Sequence, residues 1–264
     1  MREPHDWKQS LQRHLRELHL PTFRECYEDS ARRAEAESMG FEQYLSELAE
    51  RECEARRQKR VDRLLHQSRL PLEKDMASFD LKRLPVKLAL QIKSLVDAGF
   101  AERKENILAF GQPGSGKTHA LCAIGQELIR SSEGRCKVLF SSSSLMVQEL
   151  LRAKRELKLK RLLKQLGGYN VLILDDLGYV QYAREEMEVL FTLLAERYER
   201  GSVMITSNLP FSQWEQIFKD PMTTAAAIDR LVHHSVILEL NVPSYRLEQA
   251  KANKRPSRDE KGGG

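Results

Sequence analysis

No apolar run in the chain approaches the ~20 residues that a membrane-spanning helix needs. Cysteine is scarce. The four present, Cys26, Cys53, Cys122 and Cys136, stand far apart with no C-x-x-C spacing. A disulfide framework and a zinc site are therefore not expected, and a reducing cytoplasm is the natural setting. The opening residues, MREPHDWKQS, lack the apolar stretch of a secretory signal. No internal repeat is visible. Apolar residues make up 41% of the 264, enough for a normal core in one large domain, or in a small and a medium one. Charge is plentiful, at 31% with a formal net of +5. The first 70 residues hold 14 basic and 14 acidic side chains, so the excess lies downstream.

Residues 7–65 read as helices only. Leu11, Leu15 and Leu18 repeat at spacings of four and three, which lines one helix face. Pro21 breaks that helix, and a second is expected from about Thr22. Gly40 and Phe41 open a third, with Tyr44, Leu45, Leu48, Val61, Leu64 and Leu65 as its apolar positions. Loss of period and Pro71 suggest a linker over Ser68–Phe79. From residue 105 short apolar runs alternate with helical stretches. The expected strands are Asn106–Phe110, Lys137–Ser141, Val171–Leu174, Val203–Thr206 and Val236–Leu240. This alternation predicts an α/β fold, a parallel sheet covered on both faces.

Gly111-Gln112-Pro113-Gly114-Ser115-Gly116-Lys117-Thr118 matches G-x-x-x-x-G-K-[ST] in full. An expected strand precedes it and an expected helix, Thr118–Ile129, follows. Glycines let the backbone turn so that its N–H groups converge on phosphate oxygens. The helix N-terminus adds its positive end. Lys117 supplies a point charge to the β- and γ-phosphates, and the Thr118 hydroxyl is a Mg²⁺ ligand. Val171–Leu174 runs into Asp175 and Asp176, two carboxylates at the end of a buried strand, where ligands of open α/β sheets bind. Asp175 would hold Mg²⁺, and Asp176 would polarise the attacking water. Together the two motifs predict ATP hydrolysis with Mg²⁺ as cofactor. Asn208, after a further strand, is a candidate for orienting the water, although Asn also commonly begins a turn.

In this order the segments resemble the initiator and helicase-loader branch of AAA+ P-loop ATPases. The fit is closest to the IstB family of transposition helpers, which is related to DnaC-type loaders. The resemblance rests on Gly114–His119, Leu174–Tyr179, Thr206–Asn208, Ile228–Leu231, the Glu52–Arg57 stretch and Ser78-Phe79-Asp80, and covers roughly residues 10–245. It implies an AAA+ core with a five-stranded parallel sheet of order 5-1-4-3-2, a small helical N-terminal domain and no C-terminal lid. The implied division is 1–68 for partner, DNA or assembly contacts, 69–245 for the ATPase, and 246–264 as a basic, disordered tail. It also implies an ATP-dependent homo-oligomer, a ring or spiral, on double-stranded DNA, with an IstA-like transposase as partner. Arg230 would be a finger reaching the γ-phosphate of a neighbouring subunit, and Phe79 would approach the adenine. One departure is Asp176, where many relatives carry Glu. The shorter side chain implies slow or partner-dependent hydrolysis.

Other residues divide between sharp and bland readings. His119 follows the loop and is either a nucleotide, neighbour or DNA contact, or local packing. His233-His234, taken as adjacent helical residues of Thr224–His234, would point apart and share no metal. Residues 152–164 hold seven basic and one acidic side chain. Arg152, Lys154, Arg155, Lys158, Lys160 and Arg161 are candidates for phosphate contact, with Leu157, Leu159, Leu162 and Leu163 as anchors. A solvated helix face is the plainer alternative. The cluster Arg56, Arg57, Lys59, Arg60 and Arg63 either touches DNA or pairs internally. Competing functions are a replicative helicase loader that binds single strands, a nucleotide-gated adaptor that barely hydrolyses, and, least supported, a small-molecule kinase.

Overall fold

The computed structural model describes residues 4–96, 99–179, 182–218, 220–245 and 248, with side chains from residue 7. The chain forms two compact units, 1–63 and 64–264. The expected tail, 246–264, lies outside the described residues apart from Glu248. No described helix is long and apolar enough to cross a membrane.

The first unit is built from α1 (Pro4–Glu17), α2 (Pro21–Ala36) and the first part of α3 (Phe41–Gln67). Its core joins Leu15, Tyr27 and Leu48, flanked by Leu11, Phe23 and Tyr44. Pro21 begins α2 rather than only ending α1, a position where its missing N–H costs nothing. Leu18 and Leu45, expected as apolar-face residues, are both more than half exposed. Leu18 lies one residue past the end of α1, so the helical period no longer applies to it. Buried Glu52 accepts the backbone N–H of Thr22 at 2.8 Å and the Arg56 Nε–H at 2.7 Å. Burial would raise its pKa, but these bonds outweigh that and hold the carboxyl below its usual range. Arg56 also donates to the His19 carbonyl, and Arg57 pairs with Glu54. The Glu52–Arg57 stretch thus joins α3 to α2, and two members of the basic cluster pair internally.

The second unit runs α4 (Val86–Ser94), α5 (Gly99–Glu102), β1 (Asn106–Phe110), α6 (Lys117–Ser131), β2 (Val138–Ser142), α7 (Ser143–Arg155), α8 (Leu159–Leu166), β3 (Val171–Leu177), α9 (Arg184–Arg197), β4 (Ser202–Ser207), α10 (Glu215–Phe218), α11 (Pro221–Val232) and β5 (Ser235–Glu239). The five strands are parallel in the order β2-β3-β4-β1-β5, the order 5-1-4-3-2 read from the other edge. Right-handed crossovers then put α6 on one face and α7, α9 and α11 on the other. An apolar cluster fills the second interface. Met146, Leu150, Leu190, Leu194 and Leu231 pack there on Leu172, Leu174 and Ile205. At the amino ends of the strands, buried Arg197 donates to the carbonyls of Leu166, Tyr169, Asn170 and Ser202. Burial pushes its pKa down to about 10, so it stays charged at neutrality.

The run 152–164 is not one element. Helix α7 ends at Arg155, Leu157 turns with φ 57°, and α8 starts at Leu159. Leu159, Leu162 and Leu163 pack on the core as anchors, but Leu157 is 94% exposed and anchors nothing. His233 and His234 are likewise not helical neighbours. Helix α11 stops at Val232, and the two rings approach to 4.2 Å. Glu199 joins them in the one exposed His/Glu cluster among the described residues with metal-ligand spacing.

Candidate nucleotide site

The sheet order places β4 between β1 and β3, so the segments following all three meet at one edge. Buried β1 delivers the phosphate loop, and α6 starts at Lys117 after Gly116 in left-handed backbone (φ 95°). Glycine is required elsewhere in the loop as well. At Gly111 (φ 151°) a Cβ would stand 2.5 Å from the Leu240 carbonyl, and at Gly114 it would overlap Ser244. The loop is thus held from outside by the segment after β5, where the Tyr245 N–H donates to the Gly114 carbonyl at 3.0 Å.

Lys117 is buried, and its ammonium donates to the Gly111 and Gln112 carbonyls at 2.8 and 3.0 Å. Ser115 Oγ is buried in the loop without a hydrogen-bond partner. A phosphate oxygen would supply the acceptor that it lacks. Opposite the loop, β3 breaks register against β4 between Leu174 and Leu177. This bulge, with Asp176 in left-handed backbone (φ 57°), turns two consecutive carboxylates to different tasks. Asp175 is buried, and its Oδ1 accepts the Thr118 hydroxyl at 2.8 Å and the Thr206 hydroxyl at 2.6 Å. Thr206 Oγ1 in turn accepts the Asp176 N–H at 2.8 Å. Asp176 itself is exposed and lines the cleft. The paired hydroxyl and carboxylate of Thr118 and Asp175 are hard oxygen donors of the kind that suits Mg²⁺.

A cleft of ≈ 750 Å³ lies over these groups, a volume in the range of ligand pockets. Of the residues picked out from sequence, Phe79, Pro113, Gly114, Ser115, Gly116, Lys117, Thr118, His119, Asp176 and Asn208 line it. Gly111 and Asp175 support it from behind. Arg230 does not line the cleft. It projects from α11, stacks 5.0 Å over the Phe191 ring and donates to the Ala226 carbonyl. The cations at 152–164 belong to α7, α8 and the turn between them. Sequence reasoning missed Thr206 as an Asp175 partner, and missed Lys74, Arg83, Tyr179 and Tyr245 as cleft residues. Arg83 stacks 5.0 Å over the Tyr245 ring. No spacing signal marks such a pair, because its members stand far apart in the chain. The Leu-Gly-Tyr extension does have a local cause. Leu177 is fully buried, and a Cβ on Gly178 (φ 88°) would stand 2.9 Å from both Ile217 and Leu209, leaving Tyr179 at the cleft.

The family model described as IstB-like ATP binding protein matches residues 13–253. An insertion sequence ATP-binding protein of Sinorhizobium fredii is 41% identical over 242 residues, spanning 91% of this chain and 80% of that protein. The ATP-binding protein of insertion sequence IS5376 from Geobacillus stearothermophilus is 33% identical, spanning 96% of this chain and all of its own length. Among solved structures, the DnaC helicase loader aligns with a TM-score of 0.53 at 19% identity, covering 63% of this chain and 96% of its own. That likeness concerns the fold alone.

Proposed function

The chain belongs to the family of IstB-like ATP-binding proteins, and from that premise we propose that it is a transposition helper that uses ATP to assemble on duplex DNA and to recruit or activate an IstA-like transposase. It is an ATPase of the AAA+ type. The observation that carries the reading is the meeting, in one cleft, of a complete phosphate loop with Asp176 and with Thr118, whose hydroxyl buried Asp175 holds from behind.

In this reading the loop N–H groups and Lys117 hold the phosphates. Thr118 and Asp175 would hold Mg²⁺, which supplies charge neutralisation at the transferring phosphoryl group when bound. Thr206 fixes the Asp175 carboxylate through its hydroxyl and the Asp176 backbone through its oxygen. Asp176 takes a proton from the attacking water, and Asn208 orients that water. Arg230, outside its own cleft, meets the γ-phosphate of a neighbouring subunit, so hydrolysis follows assembly. The protein works in the cytoplasm, and the N-terminal helical domain contacts partners.

Duplex DNA runs along α7 and α8. Arg152, Lys160 and Arg161 are exposed and make no ion pair among the described residues. Lys154 pairs with Glu188 at 3.0 Å, Arg155 with Glu185 at 3.8 Å and Lys158 with Glu156 at 2.8 Å. Exposed pairs of this kind are weak and exchange readily for phosphate. The test changes Arg152, Lys160 and Arg161 together to Ala. Duplex affinity is expected to fall at least tenfold at moderate salt, and the salt slope to shrink by about 0.9 per lost contact. ATP hydrolysis without DNA survives. Unchanged duplex binding would move the DNA path elsewhere, and preference for single strands would favour the helicase-loader reading.

A further inference from the structure

Between Leu70 and Asp80 the chain forms a strap across α6. Leu70 packs on Gly125, where an added Cβ would stand 3.4 Å from its Cδ1. Gln126, fully buried, donates to the carbonyls of Pro71, Leu72 and Lys74 at 3.2, 3.4 and 3.1 Å. Past Lys74 the strap closes on itself, with the Ser78 N–H and hydroxyl both donating to Asp75 Oδ1 at 2.8 and 2.7 Å. These bonds hold the Asp75 carboxyl below its usual range.

Gln126 reaches no further than Lys74, and the next tie to α6 is His119. The two are seven residues apart, so they share a helix face. His119 Nε2 lies 3.0 Å from the Asp75 carbonyl and 3.2 Å from Ser78 Oγ. An Nε2–H tautomer donates to the carbonyl, the one partner of the two that can only accept. The imidazole also stands 5.0 Å from the Phe79 ring at 48°. Phe79 rests on the phosphate loop, with its Cε2 3.4 Å from a Cβ placed on Gly116. Lys74, Ser78, Phe79 and Asp80, all on the strap, form one wall of the cleft. The neighbouring Thr118 turns the other way, to Asp175.

We infer that His119 is a positioning residue that pins the Asp75–Phe79 turn against the phosphate loop, and so sets nucleotide affinity through the cleft wall rather than through the reacting phosphates. This rests on reading the cleft as the ATP site. It separates two roles within one helical turn: Thr118 serves the metal and γ-phosphate side, and His119 serves the wall.

The experiment measures affinity for a fluorescent ATP analogue together with KM and kcat. His119→Ala is expected to raise Kd and KM about tenfold while kcat shifts less than twofold. The Tm without nucleotide should fall by no more than about 4 °C, the scale of one lost hydrogen bond in a domain of this size. Gln places an amide N–H near the same carbonyl, so His119→Gln should recover most of the affinity. Because His119 acts through Phe79, the double change with Phe79→Ala should be no worse than the worse single change. Unchanged affinity in His119→Ala overturns the inference. So does additivity with Phe79→Ala, which would mark two independent nucleotide contacts, or failure of Gln to rescue a stable protein. Lys117→Ala serves as the reference. If it too binds the analogue normally, the site reading itself fails. If it does not bind and His119→Ala binds normally, only the role of His119 fails.

Discussion

Lys117→Ala is expected to abolish tight ATP binding, raising Kd about 100-fold or more. The ammonium is buried at the loop and held by the Gly111 and Gln112 carbonyls, so it is pre-placed where phosphate charge gathers. Charge-assisted hydrogen bonds are worth about 1.5–3 kcal/mol each, and losing the contacts to both the β- and γ-phosphates accounts for the expected factor. Alanine also leaves the phosphates facing loop carbonyls with no intervening cation. Asp175→Ala should behave differently. It removes the acceptor for the Thr118 and Thr206 hydroxyls, so Mg²⁺-dependent turnover should fall while Mg²⁺-free nucleotide binding survives. Titration with a fluorescent analogue, with and without Mg²⁺, distinguishes the two. Wild-type affinity in Lys117→Ala would remove the loop from the account.

Asp176→Asn is expected to keep ATP binding within about threefold of the parent and to lower turnover about 100-fold or more, the usual scale for losing a general base. The backbone of residue 176 is fixed by Thr206 and by the register shift in β3, and Asn tolerates its left-handed conformation. The substitution therefore removes charge from the cleft while leaving the bulge in place. Phosphate release under saturating ATP is the readout, and unchanged turnover would strike Asp176 from the catalytic set. Because Asp is one methylene shorter than Glu, the reciprocal change Asp176→Glu should raise turnover if reach limits the present rate.

Much of this could be read from sequence because the signals were local. Each of the five apolar runs is a strand displaced by no more than one residue at its start, since a buried parallel strand must be apolar on both faces. The phosphate loop announced itself because its glycines serve backbone angles that few other residues adopt. Where structure and sequence differ, an element ends before the helical period would carry it. Leu18 follows the last residue of α1, and Leu157 sits in the left-handed break between α7 and α8. His233 and His234 follow the last residue of α11, so the geometry of helical neighbours does not apply to them. The cleft wall was the least legible part. His119 meets Asp75 and Ser78 across more than 40 residues, Thr206 meets Asp175 across 31, and Arg83 meets Tyr245 across a longer interval still. Such pairs depend on which strands the topology makes neighbours, and no motif spacing records that.

Nucleotide in the cleft is expected to drive assembly of this chain on duplex DNA. The most direct measurement is sedimentation of the protein with a labelled duplex of about 60 base pairs, with and without Mg²⁺ and a slowly hydrolysed ATP analogue. A nucleotide-dependent complex of several chains per duplex is predicted, because ATP-driven assembly aligns copies of the α7–α8 cations and linked weak contacts multiply in effect. A complex of the same size and affinity whether or not nucleotide is present would contradict it.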